Sequence, residues 1–254
     1  MGVFSGNTTL WLNELDNGKN YVATQRVVQN NLVFHLDAGV SGSYSGSGTT
    51  WTDLKNGGYN ATITGPSWSN TNSGVFTYDG TDDRVTFDKS TFTLGSTFTI
   101  EIWYRFTSSE GNVFNNGGLF TQGADGDWNT SVGSNKGLVL GANDIVYHTG
   151  STQVWDSYSN VPSQNNWHQF VFTLDSGTGK VLMDGASSEI YSATNFQSTY
   201  SNTNGLYGIG LADKYSGYRG EFIGDISIFR VYNAVLTTSE IQQNYNVLKG
   251  RFGL

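Results

Sequence analysis

Carboxylates and histidines are the side chains with which this chain could cleave a bond, and their spacing does not support cleavage. Hydrolysis of a glycosidic bond needs two carboxyl groups that flank it, about 5–5.5 Å apart in retaining enzymes. Glu101 has Thr99 and Trp103, not acids, two residues away on either side. The other glutamates stand alone in the sequence (Glu14, Glu110, Glu189, Glu221 and Glu240). The sequence therefore predicts no pair of catalytic acids on one strand face.

Nucleophilic catalysis is not predicted either. The histidines are isolated (His35, His148 and His168), and the sequence has no G-x-S-x-G motif that would expose a nucleophilic serine. The chain has no cysteine, so a thiol nucleophile, a disulfide and a thiolate zinc site are excluded. We therefore predict that the protein is not an enzyme.

Loop aromatic residues offer a different chemistry, the binding of sugars. A sugar ring needs a flat aromatic face together with planar hydrogen-bonding side chains. Five aromatic residues stand in polar, loop-like sequence, and an arginine beside them could make a bidentate contact; these candidates are Trp128, Trp155, Tyr158, Tyr215, Tyr218 and Arg219. The alternative is that each aromatic residue is a partly buried loop anchor. Trp51 and Trp167 are predicted to lie in the core instead.

Composition indicates what kind of fold positions these residues. The chain has 254 residues, of which 33 are glycine and 14% are aromatic, while only 13% are charged. Such a chain favours short strands and turns over long helices. The net charge of −8 argues against nucleic acid as a partner, because phosphate binding needs clustered lysine and arginine. No apolar run is long enough to cross a membrane, and the first residues lack the pattern of a secretory signal.

Alternating hydrophobicity predicts several strands. In residues 97–106 the side chains of Phe98, Ile100, Ile102, Tyr104 and Phe106 share one face. Residues 167–174 repeat this pattern, followed by turns at 175–179 and 184–185 that bracket a short strand at 180–183. Residues 220–232 are apolar on both faces, which predicts a central strand. The fold class is thus all-β, an antiparallel sandwich with one short C-terminal helix.

The helix is predicted from a capping box, with Thr237 at the N-cap and Glu240 three residues later. We predict that the helix stops at Gly250 and that it packs on the edge of the sandwich.

At the other terminus, the pattern of apolar residues in residues 1–30 differs from that of the rest of the chain. These residues are either a first strand with its lead-in or an arm for attachment or oligomerisation. We assign residues 1–30 to an arm and residues 31–254 to one domain.

Several segments, in this order, resemble the concanavalin-A-like lectin/glucanase superfamily in its laminin-G-like jelly-roll branch. They are residues 31–37, 49–54, 57–62 and 76–85, the hairpin formed by 166–168 with 183–185, and residues 224–241. The resemblance spans about residues 31–248 and implies a jelly-roll sandwich. It also implies that His168 is structural.

The resemblance further implies calcium, which jelly-roll lectins often use and which prefers hard oxygen ligands. One cluster is Asp79, Asp82 and Asp83, at the acidic turn of the family. The alternative is Asp125, Asp127 and Asn129, which form no EF-hand because Thr130 and Lys136 stand where its glycine and glutamate belong. Either cluster is otherwise a set of Asx-turns. Ser227 and Ile228 replace the usual Asp pair of the last strand, which removes one possible ligand.

The closing residues 241–254 resemble the C-terminus of lectin-like structural proteins of tailed phages, especially marine ones. This implies a virion surface protein: a capsid decoration, spike or fibre-associated subunit, assembled in the host bacterial cytoplasm. Its expected partners are other virion proteins, contacted through the N-terminal arm, a further copy of itself, and host-surface polysaccharide. The alternatives are a carbohydrate-binding module or glycosidase-like protein acting on polysaccharide, and a scaffold that binds only protein.

Overall fold

The computed structural model describes residues 26–55, 59–88, 90, 92, 94–108, 117–122, 137–149, 152–197, 205–215 and 218–254, and at 148, 212–215 and 218–219 it describes the backbone alone. In these residues the strands are β1 Leu32–Asp37, β2 Thr50–Thr52, β3 Asn60–Thr64, β4 Ser67–Ser69, β5 Val75–Asp79, β6 Arg84–Asp88, β7 Thr97–Phe106, β8 Gly118–Thr121, β9 Leu138–Gly141, β10 Asp144–Thr149, β11 Thr152–Ser157, β12 His168–Asp175, β13 Thr178–Met183, β14 Tyr191–Ala193, β15 Leu206–Ile209, β16 Leu211–Tyr215, β17 Tyr218–Glu221 and β18 Ile223–Tyr232.

The strands form two antiparallel sheets and a separate hairpin. Sheet I has the order β14-β13-β12-β7-β18-β5-β4, with β1 also paired to β18. Sheet II has the order β11-β10-β9-β8-β15-β6-β3-β2, and β16 pairs with β17. Neighbours that are distant in sequence, such as β7 beside β18, give the non-local connections typical of a jelly roll. The prediction of an all-β sandwich is confirmed.

The core lies between the two sheets and is built from the faces that alternation predicts. Phe98, Ile100, Ile102, Tyr104 and Phe106 of β7 are all buried in one cluster with residues of sheet II. The last strand, β18, lies between β7 and β5 and is buried along nearly its whole length. Its predicted central position is therefore confirmed. Trp51 and Trp167 are buried, as predicted.

The C-terminal helix α1 spans Thr238–Leu248 and begins with the predicted capping box. The Thr237 amide donates to Glu240 Oε2 at 2.8 Å, and the Glu240 amide donates to Thr237 Oγ1 at 3.3 Å. The predicted stop at Gly250 is wrong. The helix proper ends at Leu248 and continues as a 3-10 turn over Lys249–Phe252, and Gly253 adopts the left-handed conformation with φ 76°.

The predicted position of α1 on the edge of the sandwich is also wrong. The helix and the 3-10 turn cover the outer face of sheet I: Ile241 packs with Val171 and Tyr232, and Phe252 packs with Trp103 and Ile228. The reason is that this part of sheet I is apolar on both faces, so its outer face must also be covered. Among the described residues, no helix has the length and apolar character that spanning a bilayer requires.

Residues 26–30 lie on the same side of sheet I as α1, where Val28 packs with Ile241. The Val28 amide donates to Asn244 Oδ1 at 2.7 Å, and Gln243 Nε2 donates to the carbonyl of Arg26 at 2.7 Å. These bonds attach the start of the described chain to α1. Residues 1–25, which carry most of the predicted arm, lie outside the described residues, so the boundary at residue 30 stays a prediction.

Candidate functional site

The outer face of sheet II carries a row of side chains that runs across the whole sheet. Strand register places Trp155 opposite Val146, and Val146 opposite Val139. The row continues through Thr121 and Gly208 to Thr86, Thr62 and Thr50. Paired residues of adjacent strands share a face. The row has the exposed Trp155 at one edge and the exposed Thr62 and Thr50 at the other, whereas its central members, Val146, Val139, Thr121 and Gly208, are buried.

Trp155 is the exposed aromatic residue of this row. It is 56% exposed on β11, the edge strand of sheet II. Its indole Nε1 donates a hydrogen bond to the buried carboxylate of Asp144, two residues from Val146 on the same face. A donor bonded to a buried acceptor fixes the orientation of the ring. The site thus presents a flat aromatic surface that is held in place before any ligand binds.

The other predicted sugar-binding residues do not join Trp155 within the described residues. Tyr158 is only 4% exposed and donates its hydroxyl to the Gly141 carbonyl at 3.2 Å. Burial, chiefly, raises the pKa of Tyr158 well above its usual value. It is a buried anchor, so its prediction as a binding residue is not supported. The hairpin β16–β17 carries Tyr215, Tyr218 and Arg219, whose side chains lie outside the described part of the structure. Trp128 lies outside the described residues altogether.

The acidic turn between β5 and β6 brings three carboxyl groups together. One oxygen from each of Asp79, Asp82 and Asp83 lies within 4.8 Å of the others. The Thr81 amide donates to Asp79 Oδ1 at 2.9 Å, and the Asp79 amide donates to Asp83 Oδ2 at 2.8 Å. These local bonds confirm the Asx-turn interpretation for Asp79.

The same turn has a donor set that suits a hard cation. Asp83 is buried, and its pKa is raised, first by that burial and then by the charges of Asp79 and Asp82. A divalent cation would relieve this repulsion, and carboxylate oxygens are ligands that calcium prefers. The residues therefore fit the metal. The alternative cluster of Asp125, Asp127 and Asn129 lies outside the described residues.

Ser227 explains why the last strand lacks the acidic pair. Its hydroxyl donates to the Gly74 carbonyl at 2.6 Å and accepts a hydrogen bond from Arg251 Nη2 at 2.7 Å. Ser227 is fully buried by the C-terminal turn. In this chain Ser227 thus helps to hold the C-terminal turn onto sheet I, and its hydroxyl is engaged there rather than at the acidic turn.

Glu101 is a buried structural acid. Its Oε1 accepts hydrogen bonds from Trp103 Nε1 at 3.0 Å, Gln169 Nε2 at 2.9 Å and Arg230 Nη1 at 3.2 Å. Its Oε2 accepts from Asn244 Nδ2, on α1, at 2.8 Å. Glu101 and Arg230 are 0% and 1% exposed. This carboxylate joins the helix to the sheet and has no surface with which to reach a substrate.

Ser163, His168 and Asp184 form a chain of contacts that resembles a catalytic triad. His168 Nε2 lies 3.1 Å from Ser163 Oγ, and Nδ1 lies 2.8 Å from Asp184 Oδ2. However, Nε2 also lies 3.0 Å from the Ser163 carbonyl, an acceptor that only a protonated nitrogen can satisfy. A ring that donates to the carboxylate through Nδ1 and to the carbonyl through Nε2 is an imidazolium, so these two contacts favour the protonated ring.

The pKa of His168 gives the pH dependence of this contact. Burial disfavours the charged ring, but the hydrogen bond and charge of Asp184 and the Ser163 carbonyl outweigh it, and the pKa is raised above 6.5. The stabilisation is therefore fully present below the unfolded pKa of about 6.5 and is lost as pH rises through the folded pKa. We expect the free energy of unfolding of the native protein to fall over that range relative to His168→Gln.

The measurement is urea unfolding of both proteins from pH 5.5 upward, in about half-unit steps. His35 also has a shifted pKa, which burial and then the charges of Arg230 and Arg251 lower. Because both proteins contain His35, its contribution to the pH dependence cancels in the difference between them. A difference that does not change with pH would show that folding leaves the pKa of His168 unchanged, and it would contradict the prediction.

Arg105 and Asp225 form an ion pair that the sequence did not indicate. Arg105 Nη2 lies 2.6 Å from Asp225 Oδ2 on the outer face of sheet I. The two residues are 120 positions apart, and the register of β7 against β18 brings them together. Arg105 was recognisable as a residue of the polar face of its strand, but its partner was not.

Two antiparallel sheets packed face to face with these non-local strand connections define a concanavalin-A-like jelly roll. The chain belongs to the concanavalin A-like lectin/glucanases superfamily, whose family model matches residues 79–242, more than half of its length. Among curated proteins, none matches the sequence. The predicted superfamily is thus confirmed.

Solved structures share this fold at low sequence identity. Domain 4 of AbnA, an extracellular arabinanase from Geobacillus stearothermophilus in complex with arabinotriose, is 16% identical with a TM-score of 0.63, covering 86% of this chain and 98% of that one. A sialidase mutant from Trypanosoma rangeli is 16% identical with a TM-score of 0.58, covering 88% and 34%. The receptor-binding domain of botulinum neurotoxin type G is 17% identical with a TM-score of 0.55, covering 86% and 51%.

Proposed function

We propose that this chain is a non-enzymatic glycan-binding protein that holds sugar against Trp155, at the edge of the outer face of sheet II. The observation that carries the proposal is Trp155, which is 56% exposed and oriented by Asp144. An exposed large aromatic ring that is fixed before binding costs little conformational entropy when a sugar stacks on it. The arabinotriose in the complex of the AbnA domain supports a glycan as the class of ligand.

The absence of catalysis is part of the proposal. Glu101, the acid in the middle of β7, is buried and paired with Arg230. The histidine of the Ser163–His168–Asp184 chain has a carbonyl and a carboxylate at its two nitrogens, which favour the protonated ring over the free base. Neither group is arranged to move a proton to or from a bound sugar. These features support binding without cleavage.

Replacing Trp155 by alanine tests the site. We expect affinity for oligosaccharide to fall by about ten- to a hundredfold, because the stacking surface is lost. Isothermal titration calorimetry with arabinotriose, and with sialyllactose as a second probe, measures it. Val161→Ala is the matched control, since Val161 is also 56% exposed but lies in a loop after β11. If W155A and V161A bind as the native protein does, the site is elsewhere.

We also propose that calcium binds at the acidic turn. Calcium at millimolar concentration is then expected to raise the melting temperature by about 2–4 °C, because it binds only the folded turn. Asp82→Asn should abolish the rise, since Asp82 is an exposed member of the cluster. Glu189→Gln, which removes an exposed acid elsewhere, should leave it intact. Equal melting temperatures of the native protein with calcium and with chelator would rule the metal out.

The finer proposal is a place on a virion. We propose a decoration, spike or fibre-associated subunit of a tailed phage, with the lectin-like domain facing outward, supported by the resemblance of residues 241–254 to such proteins. The N-terminal segment would bind other virion proteins or a further copy, and assembly would take place in the host bacterial cytoplasm. Cryo-electron microscopy of the source particle tests this. A strict monomer in sedimentation, without affinity for phage particles, would contradict it.

A further inference from the structure

Among the described residues, the outer face of sheet I carries a polar region beyond the C-terminal helix, where Thr77 is exposed and Arg105 half-buried. In this region, Asp225 of β18 lies opposite both Thr77 of β5 and Arg105 of β7. The three side chains therefore form one row across three strands. We call this row, with Gln164 and Asn166 of the loop before β12, the Arg105 patch.

Hydrogen bonds hold the Arg105 guanidinium in one orientation. Asp225 Oδ2 accepts from Arg105 Nε at 2.8 Å and from Nη2 at 2.6 Å, while Asp225 Oδ1 accepts from Thr77 Oγ1 at 2.6 Å. The guanidinium carbon lies 5.7 Å from the centre of the Trp167 ring. Asp225 is only 3% exposed. A planar group fixed by a buried acid and an indole is preorganised for binding.

The patch still has donors and acceptors to offer. The Arg105 side chain is 37% exposed, and its Nη1 makes no hydrogen bond with any described residue. Gln164 is exposed and anchored by its Nε2 to the Thr107 carbonyl at 2.6 Å, and the exposed Asn166 donates to Ser163 Oγ at 2.9 Å. The two exposed carboxamides thus belong to the loop that leads into Trp167, whose ring lies against the fixed guanidinium.

The charge around the patch selects a neutral ligand. The Arg105 charge is already paired with Asp225. Asp79 follows Thr77 on the same face of β5, and the exposed Asp82 lies in the next turn. The whole chain carries −8. A polyanion would be repelled, whereas neighbouring hydroxyls can bond to a guanidinium edge and to carboxamides without any net charge.

We propose that the Arg105 patch is a second glycan-binding surface, which takes a segment of neutral polysaccharide on the side of the sandwich opposite Trp155. The inference rests on the proposed function and adds a second, independent contact. A chain with sites on opposite faces can bridge two polysaccharide strands and gains avidity on a dense surface.

The test is a nuclear magnetic resonance titration with arabinotriose, xylotriose and maltotriose at millimolar concentration. We expect saturable shifts of the Arg105 Nε–H signal and of the Thr77 and Asp225 amides. Arg105→Met should weaken binding at this patch about ten- to a hundredfold, and Thr77→Val more mildly. Lys180→Met, which removes another exposed cation of sheet I, should not. The shift mapping is done on the native protein, so it stands even if Arg105→Met is unstable.

The outcomes separate the two proposals. Shifts at the Arg105 patch that persist in W155A support a second surface. Shifts confined to Trp155 and its neighbours overturn the second surface and leave the proposed function standing. If none of the three sugars binds at either place, both proposals fail. Salt-sensitive binding of oligogalacturonate at Arg105, without binding of the neutral sugars, overturns the choice of a neutral ligand.

Discussion

Arg230→Ala is expected to lower the free energy of unfolding by about 3–5 kcal/mol, because it leaves the Glu101 carboxylate buried without its cationic partner. The two side chains lie 3.2 Å apart and are 1% and 0% exposed. Burial disfavours the charge on Arg230, yet the Glu101 carboxylate outweighs that effect and raises the pKa of the guanidinium. Removal of one partner is therefore far costlier than loss of a surface pair. Urea unfolding monitored by tryptophan fluorescence measures the effect.

The control for this variant is Lys180→Ala. Lys180 and Glu189 lie 3.6 Å apart, with both side chains well exposed. Solvent screens an exposed pair of this kind, so its loss should change stability far less than loss of the buried pair. If Arg230→Ala costs no more than Lys180→Ala, the Glu101 cluster does not hold α1 to the sheet.

Arg251→Ala is expected to cost about 2–4 kcal/mol, because one guanidinium secures the C-terminal turn. Its Nη1 donates to Asp37 Oδ1 at 2.7 Å, its Nε to the Asn72 carbonyl at 2.6 Å, and its Nη2 to the Gly74 carbonyl at 3.0 Å and to Ser227 Oγ. The variant should also increase amide hydrogen exchange in α1, which is continuous with this turn.

Arg251→Lys should recover only part of the loss, because an ammonium group cannot reproduce the planar fork of five donors. Lys55→Ala, at an exposed position, is the control and should change stability by less than about 0.5 kcal/mol. Full recovery with lysine would mean that charge alone, and not the geometry of the bonds, secures the turn.

The strands and the helix start were predictable because their signals are local. Alternation along residues 97–106 identifies the buried face of β7, and the spacing of Thr237 and Glu240 identifies the cap of α1. The position of α1 was not predictable in this way. Whether the helix covers a face or an edge depends on which strands are neighbours, and β7 pairs with β18 more than a hundred residues away.

The candidate site shows the same limit. Trp155 and Tyr158 stand three residues apart in similar polar sequence, yet one is exposed and the other is buried between the sheets. The difference arises because Trp155 lies on the outer face of the edge strand, whereas Tyr158 follows the strand and turns inward. Glu101 likewise has the alternation of a solvent-facing residue, but α1 covers it. Sequence periodicity gives the face of a strand and not what covers that face.

The indole N–H signal of Trp155 in the native protein, followed during titration with neutral oligosaccharides, tests the proposed binding site most directly. We expect a saturable shift of that signal, larger than the shift of the buried indoles of Trp51 and Trp103. An unchanged Trp155 signal in the presence of an oligosaccharide that demonstrably binds the protein would contradict it.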